Sequence, residues 1–222
     1  MRIGSEYYKT LRKSRLFAGL KETEIEEALK LFGASFREYE RGEFLHRAGE
    51  PLKKFGLLAA GTVNVYSDDI YGNRMLMASV SPGGTFGEAL CYLKVKDSPM
   101  YAEAAEQVSV LWLSPARLFK SDSGEKLAEK LQKNFTALLA YRTLAMNDHI
   151  QVLTKLSLRD KLITYFAEMS RQAGSSTFTV PFDRETMASY LGTNRSALSR
   201  ELSRMKNDGM IDFYKNSFRL LR

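Results

Sequence analysis

A long stretch without glycine or proline, from Glu125 to Leu156, constrains the fold more than any other feature of the chain. Its composition predicts one continuous helix. At 1.5 Å of rise per residue, that helix is about 48 Å long. A single small domain cannot cover such a rod along its whole length, so we expect it to contact more than one domain or a second copy of the chain.

Apolar side chains recur along this predicted helix at intervals of seven residues: Leu131, Leu138, Ala145 and Val152. A sustained seven-residue repeat is typical of a coiled coil, and it predicts a parallel, coiled-coil-like dimer helix. Asn134 and Asp148 interrupt the seam. The alternative is a long helix that packs on its own domain.

The chain before this helix has a different pattern of apolar residues and glycines. Ser14 to Phe32 has apolar residues at helical spacing and predicts a short helix, with Thr23 as its cap. Phe36 to Leu113 shows short apolar or alternating runs, separated by glycines about ten residues apart. This pattern predicts an antiparallel β sandwich or barrel.

The chain after the long helix predicts a winged helix-turn-helix. A helix over 157–172 ends at the polar breaker 173–176, and a strand over 177–182 follows. Asp183 is placed to cap the next helix, which Gly192 ends. The last predicted elements are a second short helix over 195–207 and strands over 211–214 and 217–221.

The outward face of this helix pair carries hydrogen-bond donors on adjoining turns, and seven residues are candidate DNA contacts: Arg184, Asn194, Arg195, Ser196, Ser199, Arg200 and Arg204. Arginine can bind guanine O6 and N7 through two hydrogen bonds, so we assign Arg195 and Arg200 to base contacts. Ser196 and Ser199 are supplementary contacts, and Arg184 is a phosphate contact. The alternative is an ordinary helical hairpin whose basic residues face solvent and do not bind DNA.

The composition narrows the class of protein. The 33 lysines and arginines exceed the 26 acidic residues and give a net charge of +7, which suits a polyanionic partner. The single cysteine, Cys91, excludes an internal disulfide, a four-cysteine cluster and a thiolate zinc finger, so we expect no metal and no cofactor. With no membrane-spanning run and no signal peptide, we expect a cytoplasmic protein without a membrane partner. GGTFG at 83–87 lacks the Gly-Lys-Ser/Thr ending of a phosphate loop, and no catalytic motif points to an enzyme.

Three motifs resemble the superfamily of the cAMP receptor protein and the fumarate–nitrate regulator: GGTFGE at 83–88, NRSALSREL at 194–202 and DGMI at 208–211. The resemblance implies an α+β chain with an effector-sensing β-roll over 1–120, similar to the cyclic-nucleotide-binding jelly roll. A dimerisation helix and hinge over 121–156 and a DNA-binding winged helix-turn-helix over 157–222 would follow. The implied protein is a transcription regulator that binds a double-stranded operator of two related half-sites as a homodimer, with RNA polymerase as a candidate partner.

Departures from the superfamily pattern bear on the effector. The phosphate-binding Arg-Ser pair of cAMP-binding members falls on Ser98-Pro99 here, and the adenine-contacting Thr-Ser pair falls on Leu144-Ala145. Losing the arginine removes the charged partner of a cyclic phosphate. The N-terminal cysteine cluster of iron–sulfur members and the Cys-x-His pair of haem members are also missing. We therefore predict a small organic effector other than cAMP.

The resemblance places an effector pocket between the roll and the long helix, with eight lining candidates: Gly87, Glu88, Tyr92, Ser98, Met100, Tyr101, Tyr141 and Leu144. This lining is mostly apolar and aromatic, which favours an organic molecule over a nucleotide. Lys94, Lys96 or Arg142 are candidates to pair with a carboxylate. Two alternatives are a filled core without a ligand and a cyclic-nucleotide-binding sensory protein that acts through protein contacts. In the main hypothesis, the effector shifts the populations of two dimer-helix arrangements.

Overall fold

The computed structural model describes residues 5–68, 70–72, 74–119 and 126–221. It divides into two compact units, residues 1–142 and 143–222, and the boundary falls inside the long helix. The α+β class predicted from the sequence is confirmed, because the first unit is rich in β-sheet and the second combines helices with a small sheet.

Two four-stranded antiparallel sheets form the first unit. One has the strand order β1-β8-β3-β6, and the other has the order β2-β7-β4-β5. The strands are β1 (Ser35–Tyr39), β2 (Phe44–His46), β3 (Phe55–Ala60), β4 (Val63–Asp68), β5 (Arg74–Val80), β6 (Thr85–Phe86), β7 (Met100–Ala104) and β8 (Val108–Leu113). Glycines at positive φ lie in several of the turns between these strands. Gly61, at φ +79°, is one that cannot be replaced freely, because an added Cβ would lie 2.3 Å from the Gln107 carbonyl oxygen.

The two sheets share one apolar core, which confirms the predicted β-roll. Alternation along β7 places Met100, Ala102 and Ala104 in this core, while Tyr101 and Glu103 are only partly buried. Leu58 and Val110, from the other sheet, belong to the same cluster. Successive side chains of a strand point to opposite faces, so one face of each sheet is buried here.

Helices and one 3-10 turn contribute a second core cluster around β3 and β8. They are α1 (Ser5–Leu11), the turn Arg15–Phe17, α2 (Glu22–Leu31), α3 (Glu88–Tyr92) and α4 (Pro115–Leu118). The single helix predicted over 14–32 is wrong, because Gly19 at φ +71° breaks it between the turn and α2. Thr23 is not the cap either, since α2 begins after Lys21, whose amide donates to the Glu24 carboxylate at 2.6 Å.

The long helix α5 (Lys126–Leu153) is present, but the dimer seam assigned from the sequence is wrong. Leu131 and Leu138 are buried in the core of the first unit, and Phe135 between them is 1% exposed. Val152 is also buried, whereas Ala145 is exposed. The seven-residue repeat therefore marks, in its first half, the side of α5 that packs on its own unit.

The opposite side of α5 is exposed. Leu144 lies nine residues after Phe135, about 180° around the helix, and 58% of it is accessible. Tyr141 is 50% exposed, and Ala137 and Ala140 are exposed beside it. This face combines large apolar residues with small ones that allow close approach.

The second unit has the predicted order of elements: α6 (Leu158–Ala173), β9 (Thr177–Thr179), α7 (Arg184–Tyr190), α8 (Arg195–Asn207), β10 (Ile211–Tyr214) and β11 (Ser217–Leu220). The three strands form an antiparallel sheet in the order β10-β11-β9. β9 is shorter than predicted. Phe166 of α6 packs against Phe178 and Phe218 of this sheet, with ring centroids 5.6 and 4.6 Å away, and these contacts fix α6 on the wing.

Candidate nucleic-acid interface and effector site

Two short helices with capped ends form the helix-turn-helix. Asp183 Oδ1 accepts a hydrogen bond from the Thr186 amide at 2.7 Å, which confirms the predicted cap and lowers the pKa of that carboxyl. Gly192 ends α7 at φ +63°. The next cap is Asn194, whose Oδ1 accepts from the Ala197 amide at 2.8 Å, so Asn194 starts α8 as well as being a candidate DNA contact.

The recognition helix α8 has one buried side and one open side. Leu198, Leu202 and Met205 are buried against the rest of the unit. The candidate contacts on α8 and its cap are all exposed: Asn194, Arg195, Ser196, Ser199, Arg200 and Arg204. With 3.6 residues per turn, those on the helix itself fall on one half of the cylinder, so a groove of DNA could contact them together.

Arg184 is less exposed than the other candidate DNA contacts. It is partly buried, and its guanidinium donates to the Lys215 carbonyl oxygen at 2.6 Å. The same group lies 5.2 and 5.0 Å from the ring centroids of Phe213 and Phe218, and burial lowers its pKa. Arg184 thus joins α7 to the wing hairpin, and its phosphate contact stays a prediction.

Glu88, one of the eight predicted effector-lining residues, already has protein partners. Glu88 is 4% exposed, and its carboxylate lies 3.7 Å from the Arg142 guanidinium. Arg142 also donates to the Thr85 carbonyl oxygen at 2.8 Å, and the Thr85 hydroxyl donates to Glu88. The buried carboxylate thus forms an ion pair with a residue of the long helix of its own chain. Arg142 is already bonded in this pair, so it is not free to bind a ligand carboxylate.

Apolar side chains fill the space beside Glu88. An added Cβ at Gly87 would lie 2.2 Å from Leu52 Cδ2 and 3.6 Å from Met100 Cε, so both side chains pack on the glycine. Ser98 is buried, and its hydroxyl accepts from the Met100 amide at 3.3 Å. This arrangement agrees with the filled-core alternative in this part of the roll.

Four of the predicted lining residues do not gather around Glu88. Tyr101 is wrong as a lining residue, because it lies on the other face of β7 from Met100, with its ring 6.1 Å from Phe44. Tyr92 packs instead on Phe119 and Phe135, at 5.0 and 5.8 Å between ring centroids. The other two, Tyr141 and Leu144, are exposed on α5, and Arg15 lies 3.7 Å from the Tyr141 ring centroid.

Comparison with known families agrees with this geometry at both ends of the chain. The cyclic nucleotide-binding domain family matches residues 36–121, and the Crp-like helix-turn-helix domain family matches residues 160–222. The chain is a Crp/Fnr family transcription regulator. Regulators of this family bind DNA, and the similar proteins are not enzymes.

Individual relatives are distant but align along most of the regulator. It is 25% identical to the cyclic AMP receptor protein of Thermus thermophilus over 203 residues, which cover 90% of this chain and 89% of that protein. It is 23% identical to electron transport regulator A of Shewanella oneidensis over 178 residues, 78% and 69% of the two chains.

Solved structures show the same fold. FixK2 of Bradyrhizobium japonicum superposes with a TM-score of 0.66 at 23% identity, covering 85% of this chain and 93% of that one. The c-di-GMP responsive regulator CLP of Xanthomonas campestris superposes with a TM-score of 0.72 at 17% identity, covering 91% and 100%. In the part of the regulator that the structure describes, no helix is long and apolar enough to span a membrane.

Sequence reasoning missed one polar network that holds the recognition helix. Arg159 of α6 donates to Glu201 at 2.6 Å and lies 2.8 Å from the Asp208 carboxylate, just after α8. Glu201 also lies 3.5 Å from Arg204. Glu201 is the one acidic residue of α8, among several basic ones. This isolated negative charge was the sequence signal that could have predicted an ion pair here.

Proposed function

We propose that the regulator binds a two-fold operator as a homodimer, and that its N-terminal region, residues 1–120, responds to a small organic effector other than cAMP. The observation that supports DNA binding is the exposed polar side of α8. Arg195 and Arg200 on this side form no ion pair with any residue that the structure describes. Residues 121–156 would link the two copies, and residues 157–222 would contact DNA. RNA polymerase stays a predicted partner from the sequence resemblance.

Fluorescence anisotropy with a promoter library at two salt concentrations tests the DNA-binding part. We expect a subset of sequences to bind more tightly than the rest, with affinity falling as salt rises because phosphate contacts release counterions. Equal affinity for all sequences would contradict the proposal. Selective binding to a protein, without DNA binding, would instead support the alternative of a sensory protein that acts through protein contacts.

The proposal of a non-cAMP effector is supported by the surroundings of Glu88. Arg142 pairs with this carboxylate, and Ser98-Pro99 stands where cAMP-binding relatives have an arginine. A cyclic phosphate would therefore meet no arginine at that position. Leu52 and Met100 pack on Gly87 in the same corner.

We expect the two copies to pair through the exposed face of α5. Leu144→Glu would place a carboxylate in the proposed apolar interface, opposite its symmetry mate, and should raise the dimer dissociation constant at least about 100-fold. Sedimentation velocity across a concentration series measures the change.

Met146→Glu is the matched control for this prediction. Met146 is 53% exposed, close to the 58% of Leu144, but lies about 200° further round the helix, on the side of Phe135. The Met146 variant should remain dimeric. A monomeric parent protein, or equal weakening by both substitutions, would contradict this interface.

A further inference from the structure

A cleft of about 620 Å³ opens on the first unit beside the Glu88 corner; Tyr92 lines it, but Glu88 does not. Residues from three segments line it: residues 51–53 between β2 and β3, residues 91, 92 and 94–96 at the end of α3 and after it, and residues 115, 116 and 119 in and after α4. Its volume is within the range of small-ligand sites, about 300–1,000 Å³.

Apolar and aromatic side chains form the walls of this cleft. Leu52, Cys91 and Pro115 are buried residues that line it. Tyr92 and Phe119 line it with their rings 5.0 Å apart, at 64° to each other, and both are at least 40% exposed. The walls can therefore contact a flat apolar group on more than one side.

Three lysines, Lys53, Lys94 and Lys96, stand at the cleft and are exposed. None of them forms an ion pair with a residue that the structure describes, and no described carboxylate lines the cleft. The three ammonium groups thus give the opening a positive potential without an internal counter-charge, which favours an anionic group.

Lys94 is held in an unusual backbone conformation. It follows α3 at φ +53°, where glycine is the common residue, and the next amide, of Val95, donates to the Leu90 carbonyl oxygen at 3.0 Å. A left-handed residue with a side chain is strained. The chain therefore keeps a cationic side chain at the cleft where a glycine would suit the backbone better.

We propose that this cleft binds small aromatic carboxylates and is the effector site of the regulator. The rings and apolar walls would hold the aromatic group, and the lysines would pair with the carboxylate at the opening. Glu88 has no such role, because Arg142 already neutralises it. The regulatory part of this inference rests on the DNA-binding function proposed above.

The cleft has a direct contact with the long helix. Tyr92 and Phe119 both pack on Phe135 of α5, at 5.8 and 5.7 Å between ring centroids. A ligand that moves either ring would change the packing of Phe135. The effector would thus bias α5 through side chains that touch it, as a population shift requires.

Binding is tested on the full chain by titration calorimetry with sodium cinnamate, cinnamamide and inorganic phosphate. We expect cinnamate to bind and the other two to bind at least about tenfold more weakly, since the amide lacks the charge and phosphate lacks the apolar group. Equal affinity for cinnamamide would overturn the role of the lysines, and equal affinity for phosphate would overturn the aromatic class.

The double variant Lys94→Gly, Lys96→Gln should lose about tenfold in cinnamate affinity, because each exposed ion pair contributes a few-fold. Removing the strained side chain should leave Tm unchanged or raise it by about 1–3 °C, so weaker binding would not reflect unfolding. The control Lys30→Gln removes an exposed charge outside the cleft and should bind cinnamate like the parent. Equal affinity of the double variant and the parent would refute the site.

The reactivity of the single cysteine, Cys91, shows whether cinnamate binds in this cleft. Cys91 is 5% exposed, and burial raises its pKa to about 11, so its reaction with methyl methanethiosulfonate should be slow. Cinnamate should slow it further in the parent and less in the double variant. Calorimetric binding without any protection of Cys91 would place the ligand elsewhere.

Promoter binding separates this inference from the proposed function. If the parent selects promoter DNA but no cinnamate binds at the cleft, the cleft inference fails alone. If cinnamate binds and protects Cys91 but no DNA sequence is preferred, the proposed function fails and the cleft remains only a binding site. If both bind, DNA affinity that does not change with saturating cinnamate would overturn the effector role.

Discussion

Phe135→Ala should lower the free energy of unfolding of the first unit by about 3–5 kcal/mol, the usual cost of removing a buried phenylalanine ring. Phe135 is 1% exposed and packs within 5.7–5.8 Å of the rings of Phe55, Tyr92 and Phe119. The cavity would lie where α5 meets the sheet and α3, and these neighbours cannot all move in to close it.

Tryptophan fluorescence during urea unfolding measures this loss selectively. Trp112 is the single tryptophan and lies on β8, so its signal reports the first unit. Lys133→Ala, an exposed position on the same helix, is the control and should change stability by no more than about 0.5 kcal/mol. A Phe135 variant as stable as this control would mean that α5 does not anchor the first unit.

Replacing Arg195 and Arg200 together by alanine should weaken binding to the preferred operator at least about 30-fold. Each arginine that contacts a base contributes about 1–3 kcal/mol, and separate base pairs add roughly. Both side chains are exposed on α8, away from the buried Leu198 and Leu202, so the fold of the second unit should be kept.

Competition binding against scrambled DNA gives the second readout for these arginines. Base contacts carry sequence information, so the double variant should lose preference as well as affinity. The control pair Lys9→Ala, Lys30→Ala removes the same charge from exposed positions of the first unit. If the control loses as much affinity as the α8 variant, net charge rather than base contact explains the binding.

The sequence predicted the elements that depend on local chemistry. Asp183 and Gly192 mark the two ends of α7 because a cap and a positive φ require particular residue types. The β-roll was predictable for the same reason, since tight turns concentrate glycine. Any side chain at Gly61 would bring its Cβ against the Gln107 carbonyl oxygen, so this turn requires glycine.

The surroundings of α5 were not predictable from periodicity. A seven-residue repeat shows that one side of a helix is apolar, but it does not show what covers that side. Leu131 and Leu138 meet the core of their own unit rather than a second helix. These leucines share a core with residues of β3 and β8 that lie far from them in the sequence. No local sequence pattern therefore predicts that they pack together.

The structure places parts of the predicted effector lining differently from the prediction, for two physical reasons. Tyr101 was assigned without the two-residue alternation of β7, which puts it on the opposite face from Met100, and this signal was present in the sequence. The pairing of Glu88 with Arg142 joins residues from distant parts of the chain. Only the fold brings these charges together, so the sequence could not show that Glu88 is occupied.

The Glu88–Arg142 pair also restricts how this chain can evolve. Among the residues that the structure describes, a single substitution of Arg142 would leave the buried Glu88 carboxylate with the Thr85 hydroxyl as its side-chain partner, and that intermediate would be destabilised. A substitution of Glu88 alone would leave the Arg142 guanidinium bonded to the Thr85 carbonyl oxygen but without its carboxylate partner. Substitution of Arg142 is therefore disfavoured unless Glu88 changes with it, and we expect the two positions to vary as a pair among the descendants of this gene.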